Sequence, residues 1–352
     1  MKKVINICII GAGNISNSRH IPALRKLENV NIIGVLSNSQ KNIDRTIKKW
    51  KISNSMLIDD AESAIKKLRK CDWFNEVDAV VIGTPPKQHH SLAKMCLELD
   101  KHVLVEKPMM MNKQECDELI NLAKKKKKQF CVMHNFQFAS QMLKLNDIID
   151  SKKYGDIVSI TEVQFTNRNR RLPEWYNDLP LGLFFDEAAH FIYLLQRHCG
   201  KLKIDNCHAV YDEVKEATPI TLNVDATAGK VPVHMMLNFN APVCEWYYMV
   251  SFKDVIYIYD FFKDILIKLP TDNQHLSKDI LKNSFSYTFQ YWLGFIKNGF
   301  KMVTGNLLYG HNIVLGKYID GIRTGKYDPS IQAEKGKETV ISMNDIVDKV
   351  NK

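Results

Sequence analysis

Lys107 follows the apolar run His102-Val103-Leu104-Val105 and Glu106, and Pro108, which has no N–H to continue a ladder, ends the strand there. A lysine at the carboxyl end of a strand can hold charge over a substrate hydroxyl or polarise a carbonyl. The same run also describes a strand that merely stops, with a surface lysine after it. Asp186 and His190 stand four apart in Gly182-Leu183-Phe184-Phe185-Asp186-Glu187-Ala188-Ala189-His190, so on a helix they share one face. Histidine suits the uptake and return of a hydroxyl proton near neutral pH, and Asp186 could orient it or hold a neighbouring hydroxyl. An ordinary surface pair has the same spacing.

A second group of residues fits the binding of a dinucleotide. Gly11-Ala12-Gly13-Asn14-Ile15-Ser16 joins an apolar run, Val4 to Ile10, to a helical pattern. Two glycines there permit a tight turn and close approach of a pyrophosphate to a helix N-terminus, with Ser16 in place of a third. A glycine turn without a ligand has the same form. The next strand ends Leu36-Ser37-Asn38-Ser39, without the acid that a free ribose hydroxyl favours. Ser37, Asn38 and Lys41 or Arg45 could bond a 2′-phosphate instead, which points to NADP, with NAD also possible through main chain and Ser37. Gly83-Thr84-Pro85-Pro86 forms a rigid loop after the strand at Ala79, on the nicotinamide side of such a crevice. His89 and His90 behind it read as helix-start residues rather than as an acid or base.

These residues need a scaffold, and the pattern supplies one. To about residue 125, short apolar strands (4–10, 30–36, 79–83 and 102–105) alternate with helical stretches near 20–28, 42–51, 60–71, 88–99 and 112–127. That alternation predicts an α/β doubly wound parallel sheet, completed by a strand at 130–133 and a helix near 138–150. After Lys152 the period becomes two, at 157–167, 204–214, 220–227, 233–240, 245–252 and 255–261. This predicts an open, mainly antiparallel sheet with one wet face, backed by helices near 183–198, 275–298 and 306–322. The chain therefore divides into a dinucleotide-binding domain, 1–127, and an α+β domain, 128–352, with a polar tail after Lys326.

Composition excludes several classes of function. The 352 residues carry a net charge of +10, but no basic and aromatic platform accompanies the lysines, so nucleic acid is not an expected partner. The run after Lys2-Lys3 is short, contains Asn6 and leads into the glycine turn, so it reads as a buried strand rather than a leader. No stretch approaches the ~20 apolar residues of a membrane span. A cytoplasmic protein is expected. The eight cysteines show neither a C-x-x-C pair nor metal-ligand spacing, so neither a disulfide framework nor a metal is expected.

The loop Arg168-Asn169-Arg170-Arg171-Leu172-Pro173-Glu174-Trp175-Tyr176 adds arginine forks, which suit phosphate or carboxylate, and aromatic faces, which suit sugar rings. A phosphorylated, nucleotide-linked or acidic sugar fits it. A basic surface loop packing Trp175 fits equally.

Taken together and in order, Gly11-Ala12-Gly13, Thr84-Pro85-Pro86 with His89, Glu106-Lys107-Pro108, His134-Asn135-Phe136-Gln137-Phe138, and Asp186 with His190 resemble the glucose-fructose oxidoreductase / inositol dehydrogenase (Gfo/Idh/MocA) family. The match covers roughly residues 4–195 and is looser beyond. The resemblance implies an N-terminal Rossmann domain and a C-terminal domain whose open sheet commonly joins copies as a homodimer or homotetramer. It carries over Lys107, Asp186 and His190 as catalytic, with a cis Lys107-Pro108 bond. It further implies cofactor contacts from Gly11, Gly13, Asn14, Ile15, Ser37, Asn38, Lys41, Thr84, Pro85, His89, Glu106 and Lys107. The implied activity is NAD(P)-dependent oxidation of a secondary alcohol of a sugar or cyclitol, the substrate meeting Arg168, Arg170, Arg171, Trp175, Tyr176 and Tyr193. A cofactor-bound regulator without turnover is the alternative. Gln137 in place of an arginine, Glu187-Ala188 in place of a pair with glycine, and Tyr193 in place of an aspartate depart from the family pattern.

Overall fold

β1 (Ile5–Ile10) is buried almost throughout, as befits a strand with neighbours on both sides and layers on both faces. In the computed structural model, which describes residues 3–212, 217–272 and 274–351, it lies within a six-stranded sheet. The others are β2 (Val30–Ser37), β3 (Asn54–Leu57), β4 (Ala79–Ile82), β5 (His102–Val105) and β6 (Phe130–Val132), in the order β3-β2-β1-β4-β5-β6. Every neighbouring pair is parallel. The order reverses direction between β1 and β4, so a crevice opens beyond their carboxyl ends.

Helices α1 (Ile21–Leu24), α2 (Gln40–Trp50), α3 (Ala61–Leu68), α4 (Asp72–Asn75), α5 (His89–Glu98) and α6 (Lys113–Lys126) connect these strands. Three begin on side-chain caps: Ser39, Asp60 and Asn112 accept the backbone N–H of Asn42, Ser63 and Glu115. α6 ends at Lys127 in the left-handed conformation, with Lys124, Lys125 and Lys126 at the negative end of its dipole. β3, α4 and the first helix differ from the sequence reading, α4 being a single turn beyond the stretch expected to end at 71. β3 is an edge strand with polar Asn54 and Ser55, so it lacked an apolar signature. The expected helix over 20–28 is instead a short π-helix, Ser16–His20, followed by the single turn of α1.

The second sheet is ordered β13-β12-β11-β7-β10-β9-β8. Its strands are β7 (Ser159–Phe165), β8 (Leu202–Val210), β9 (Thr221–Ala228), β10 (Val231–Asn238), β11 (Glu245–Ser251), β12 (Val255–Asp260) and β13 (Ile265–Pro270). All pairs are antiparallel except β7 with β10. Burial alternates along β7 and β9, giving one packed face and one wetter face. α7 (Ser140–Asp150), α8 (Leu183–Glu187), α9 (Ala189–Cys199) and α10 (Ser277–Val303) belong with this sheet. β13 is an additional strand, and the residues expected to end β8, Glu213 and Val214, lie outside the described residues. α10 runs beside β13. Gln290 accepts the Lys268 N–H through Oε1 at 2.9 Å and donates to the Lys268 carbonyl through Nε2 at 3.0 Å.

The chain then adds α11 (His311–Thr324) and α12 (Ala333–Val350). The expected polar tail is therefore mostly helix: Val340, Met343, Ile346 and Val347 recur at helical spacing and are buried. Two compact units result, Met1–Asn135 with Gly310–Ile341, and Phe136–Tyr309 with Ser342–Lys352. This division differs from a cut at 127/128, because β6 joins the first sheet and α11 returns to that unit. α7, expected to complete the first sheet, packs in the second unit. Among the described residues no helix is long and apolar enough to cross a membrane.

Candidate active site

In the first unit, the turn after β1 meets the turn after β4. Gly11 has φ +94°, and a Cβ there would sit 2.6 Å from the Gly83 carbonyl oxygen, so only glycine fits. Gly13 is different: a Cβ on it would enter open space. Ser16, in the third-glycine position, donates to the Gly11 carbonyl at 2.6 Å, and Asn17 donates to the Ala12 and Gly13 carbonyls at 3.1 and 2.9 Å. The loop is thus held open from behind.

A groove of ≈ 340 Å³ lies beside this turn, and Gly11, Ser37, Asn38 and Thr84 line it with Ile10 and Leu92. Thr84 Oγ1 is buried without a protein partner. The groove also collects Asp59, Asp60 and Glu62, which the sequence reading had not singled out. A capping Asp60 followed by a helical pattern was the available signal. Gly13 sits in the adjoining turn, Asn14 and Ile15 begin the helical segment that follows it, Pro85 is half-buried and Lys41 is exposed on the first turn of α2. Arg45 reaches the Ala12 carbonyl at 3.4 Å.

His89 does not line the groove. It spans the Thr84 and Pro108 carbonyls at 2.9 Å each, and burial holds its ring below the ordinary histidine range. A neutral ring donates to one of them at a time. The Lys107-Pro108 bond is cis, as the resemblance implies. Glu106, immediately before, is buried beside His20 (2.7 Å from Nε2) and His311 (3.9 Å), and its Oε2 accepts the Lys107 N–H at 3.2 Å. Burial alone would raise its carboxyl, but the His20 hydrogen bond and the charges of His20, His311 and Lys107 outweigh this and hold it at about 2. The facing side-chain nitrogen and oxygen atoms of His20, Glu106 and His311 lie within 4.8 Å of one another. Distances along the chain concealed that cluster.

Asp186 and His190 belong to the second unit. They lie in α8 and α9 rather than in one uninterrupted helix, with Ala188 at the junction still close to helical conformation. His190 is buried, edge-on to Phe136 at 4.8 Å between centroids, and its Nδ1 is 3.0 Å from the Tyr193 hydroxyl. That hydroxyl accepts the Phe136 N–H at 2.9 Å. Tyr193, expected among the substrate contacts, therefore braces the histidine. Glu187 is buried and forms an ion pair with Arg170, while accepting from Gln164 and Thr166 at 2.5 and 3.1 Å. Arg168 donates to the Phe239, Thr218 and Pro219 carbonyls. Arg171 is exposed, and Trp175 and Tyr176 are half-buried in a short 3₁₀ helix.

Residues 5–134 match the sequence model of the oxidoreductase family with an NAD-binding Rossmann fold (Gfo/Idh/MocA). Oxidoreductase P35 of Formosa agariphila is 26% identical over 211 residues, 58% of this chain and 63% of that protein. A 1-carboxy-3-chloro-3,4-dihydroxycyclohexa-1,5-diene dehydrogenase of Comamonas testosteroni is 35% identical over 118 residues, 33% of this chain and 30% of that protein. The chain thus spans less than two thirds of the length of these relatives. The WlbA dehydrogenase of Bordetella pertussis, solved with NADH and UDP-GlcNAcA, superimposes with a TM-score of 0.78 at 14% identity, covering 99% of this chain and 96% of that one, and so shares the fold. With a glycine turn at the β1/β4 switch point and the Glu106-Lys107-Pro108 strand end within the matched segment, residues 5–134 are similar to the NAD-binding Rossmann domain of the Gfo/Idh/MocA oxidoreductases, and the two sheets follow in the order of that fold.

Proposed function

We propose that this protein transfers hydride between a nicotinamide dinucleotide and a secondary alcohol of a sugar, sugar derivative or cyclitol. The observation that carries the reading is the groove at the switch point, with Gly11 pressed on Gly83, open space in front of Gly13 and an unpartnered Thr84 Oγ1. These residues fit a dinucleotide. When bound, its nicotinamide supplies the acceptor or donor of hydride. Lys107 then stabilises the substrate oxygen on which negative charge develops, and His190 takes the hydroxyl proton. Tyr193 keeps the imidazole oriented, and Asp186 holds a neighbouring hydroxyl.

Ser37, Asn38 and Lys41 support NADP as the cofactor. The carboxylates Asp59, Asp60 and Glu62 along the groove would repel a 2′-phosphate and weigh toward NAD. We favour NAD on that ground. For the substrate, Arg168 and Arg170 are already engaged with main chain and with Glu187. Arg171, with Trp175 and Tyr176, is the element that supports an anionic sugar derivative.

The test is reduced-cofactor formation with NAD and NADP against a panel of sugars, sugar acids, nucleotide-linked sugars and cyclitols. Lys107→Ala and His190→Ala should each lower turnover by ~10² or more. Undiminished turnover in Lys107→Ala sinks the assignment. Tight cofactor binding without turnover across the panel favours the regulatory reading.

A further inference from the structure

α10 meets β13 along one side only. At 100° per residue, Ser286, Gln290, Gly294 and Asn298 share a side. That side meets β13: Gln290 bonds Lys268, a Cβ on Gly294 would touch Ile265, and Asn298 donates to the Lys263 and Asp264 carbonyls. Opposite it run Leu281, Phe285, Phe289, Trp292, Ile296, Phe300 and Val303. These are among the most exposed apolar side chains of the chain, at 71% for Leu281, 75% for Phe285, 74% for Phe300 and 89% for Val303. A contiguous exposed apolar patch of this kind marks an interaction surface.

We propose that this face is a two-fold contact between two copies of the chain. The spacing is symmetric about Trp292. Leu281 and Val303 lie eleven residues to either side, Phe285 and Phe300 seven and eight, Phe289 and Ile296 three and four. An antiparallel copy related by an axis through Trp292 sets Leu281 against Val303, Phe285 against Phe300 and Phe289 against Ile296, which is the self-complementarity an isologous contact requires. None of the seven stripe residues is charged; Lys278 and Lys282 share their sector only at its N-terminal end, and Lys301 is turned ~100° or more away. Its open area is on the order of 900 Å² per chain, close to the ~800 Å² that each partner contributes to a standard stable interface. A lipid surface would demand no such symmetry, so a second copy is the occupant these observations favour. The contact is independent of the catalytic reading.

The test uses the full chain in analytical ultracentrifugation at ~10 μM, a concentration that holds together an interface of standard size. The wild type should sediment as a dimer or a dimer-based assembly. Phe285→Glu with Ile296→Glu should raise the dissociation constant of that contact at least tenfold, with unchanged circular dichroism because both side chains point away from β13. In a separate arm, Trp292→Cys should form a disulfide-linked dimer under mild oxidation where the wild type does not, and absence of that cross-link overturns the two-fold arrangement. A monomeric wild type, or an assembly indifferent to the double substitution, overturns the proposal. So does stripe-dependent binding of a monomer to phosphatidylcholine/phosphatidylserine vesicles.

Discussion

The Tyr193 hydroxyl stands 3.0 Å from His190 Nδ1 while accepting the backbone N–H of Phe136 at 2.9 Å. Anchored by main chain, the hydroxyl fixes the plane of the imidazole. When Nδ1 carries the proton and donates to Tyr193, the basic lone pair is on Nε2. Tyr193→Phe should lower kcat ~10-fold or more and displace the pH–rate profile, with dinucleotide affinity unchanged because Tyr193 is not among the residues that line the groove. Wild-type kcat and pH profile in that variant would remove Tyr193 from the catalytic apparatus.

Gly11 and Gly13 should respond differently to the same substitution. Gly11→Ala places a methyl 2.6 Å from the Gly83 oxygen at φ +94°, so the fold should lose roughly 1–2 kcal/mol or more in a denaturant titration. Gly13→Ala meets nothing in the protein, so its melting temperature should stay near wild type while dinucleotide binding weakens ~10-fold or more. Fluorescence titration with NADH measures the second effect, and unimpaired binding in Gly13→Ala would place the pyrophosphate elsewhere.

Stability should decline in mild acid. Burial drives the His134 ring down to about 3, and burial together with Lys128 drives His102 down to about 4. The unfolded chain takes up these protons below ~6.5, whereas the folded chain does not. Their contribution is therefore complete above pH 6.5 and is lost as pH falls toward the folded values, at up to ~1.4 kcal/mol per pH unit for each group. Urea midpoints at pH 7.5, 6.0 and 5.0 should fall in that order, and His134→Gln should flatten the slope. Parallel slopes would mean that His134 protonates in place.

Arg170 should matter first for folding. It is the cationic partner of the buried Glu187, whose other contacts are Gln164 and Thr166. Arg170→Ala leaves that carboxylate without its counter-charge and should cost about 1–3 kcal/mol by chemical denaturation. A variant as stable as wild type but with a raised KM would instead assign Arg170 to the substrate.

Much of the first unit was legible because buried parallel strands are short apolar runs separated by glycine and proline turns. The same rule explains what escaped notice. β3 is an edge strand, and Asn54 and Ser55 gave it no such run. α12 looked polar by composition, although Val340, Met343, Ile346 and Val347 carried a helical period within it. The candidate residues were legible by type, but their partners were not. His20 and His311 reach Glu106 from distant parts of the chain, and Arg168 is committed to the carbonyls of Phe239, Thr218 and Pro219, groups that every residue possesses and no sequence distinguishes.

Gln290 occupies both the N–H and the carbonyl of Lys268, and two residues on, where the same side of β13 would offer its next donor, stands Pro270, which has none. A strand arriving from another molecule would find at these positions an edge already saturated. At Lys268 and Pro270 the sheet is thereby blocked on its β13 side against the edge-to-edge growth that leads to aggregation, and contact at these positions forms through side chains.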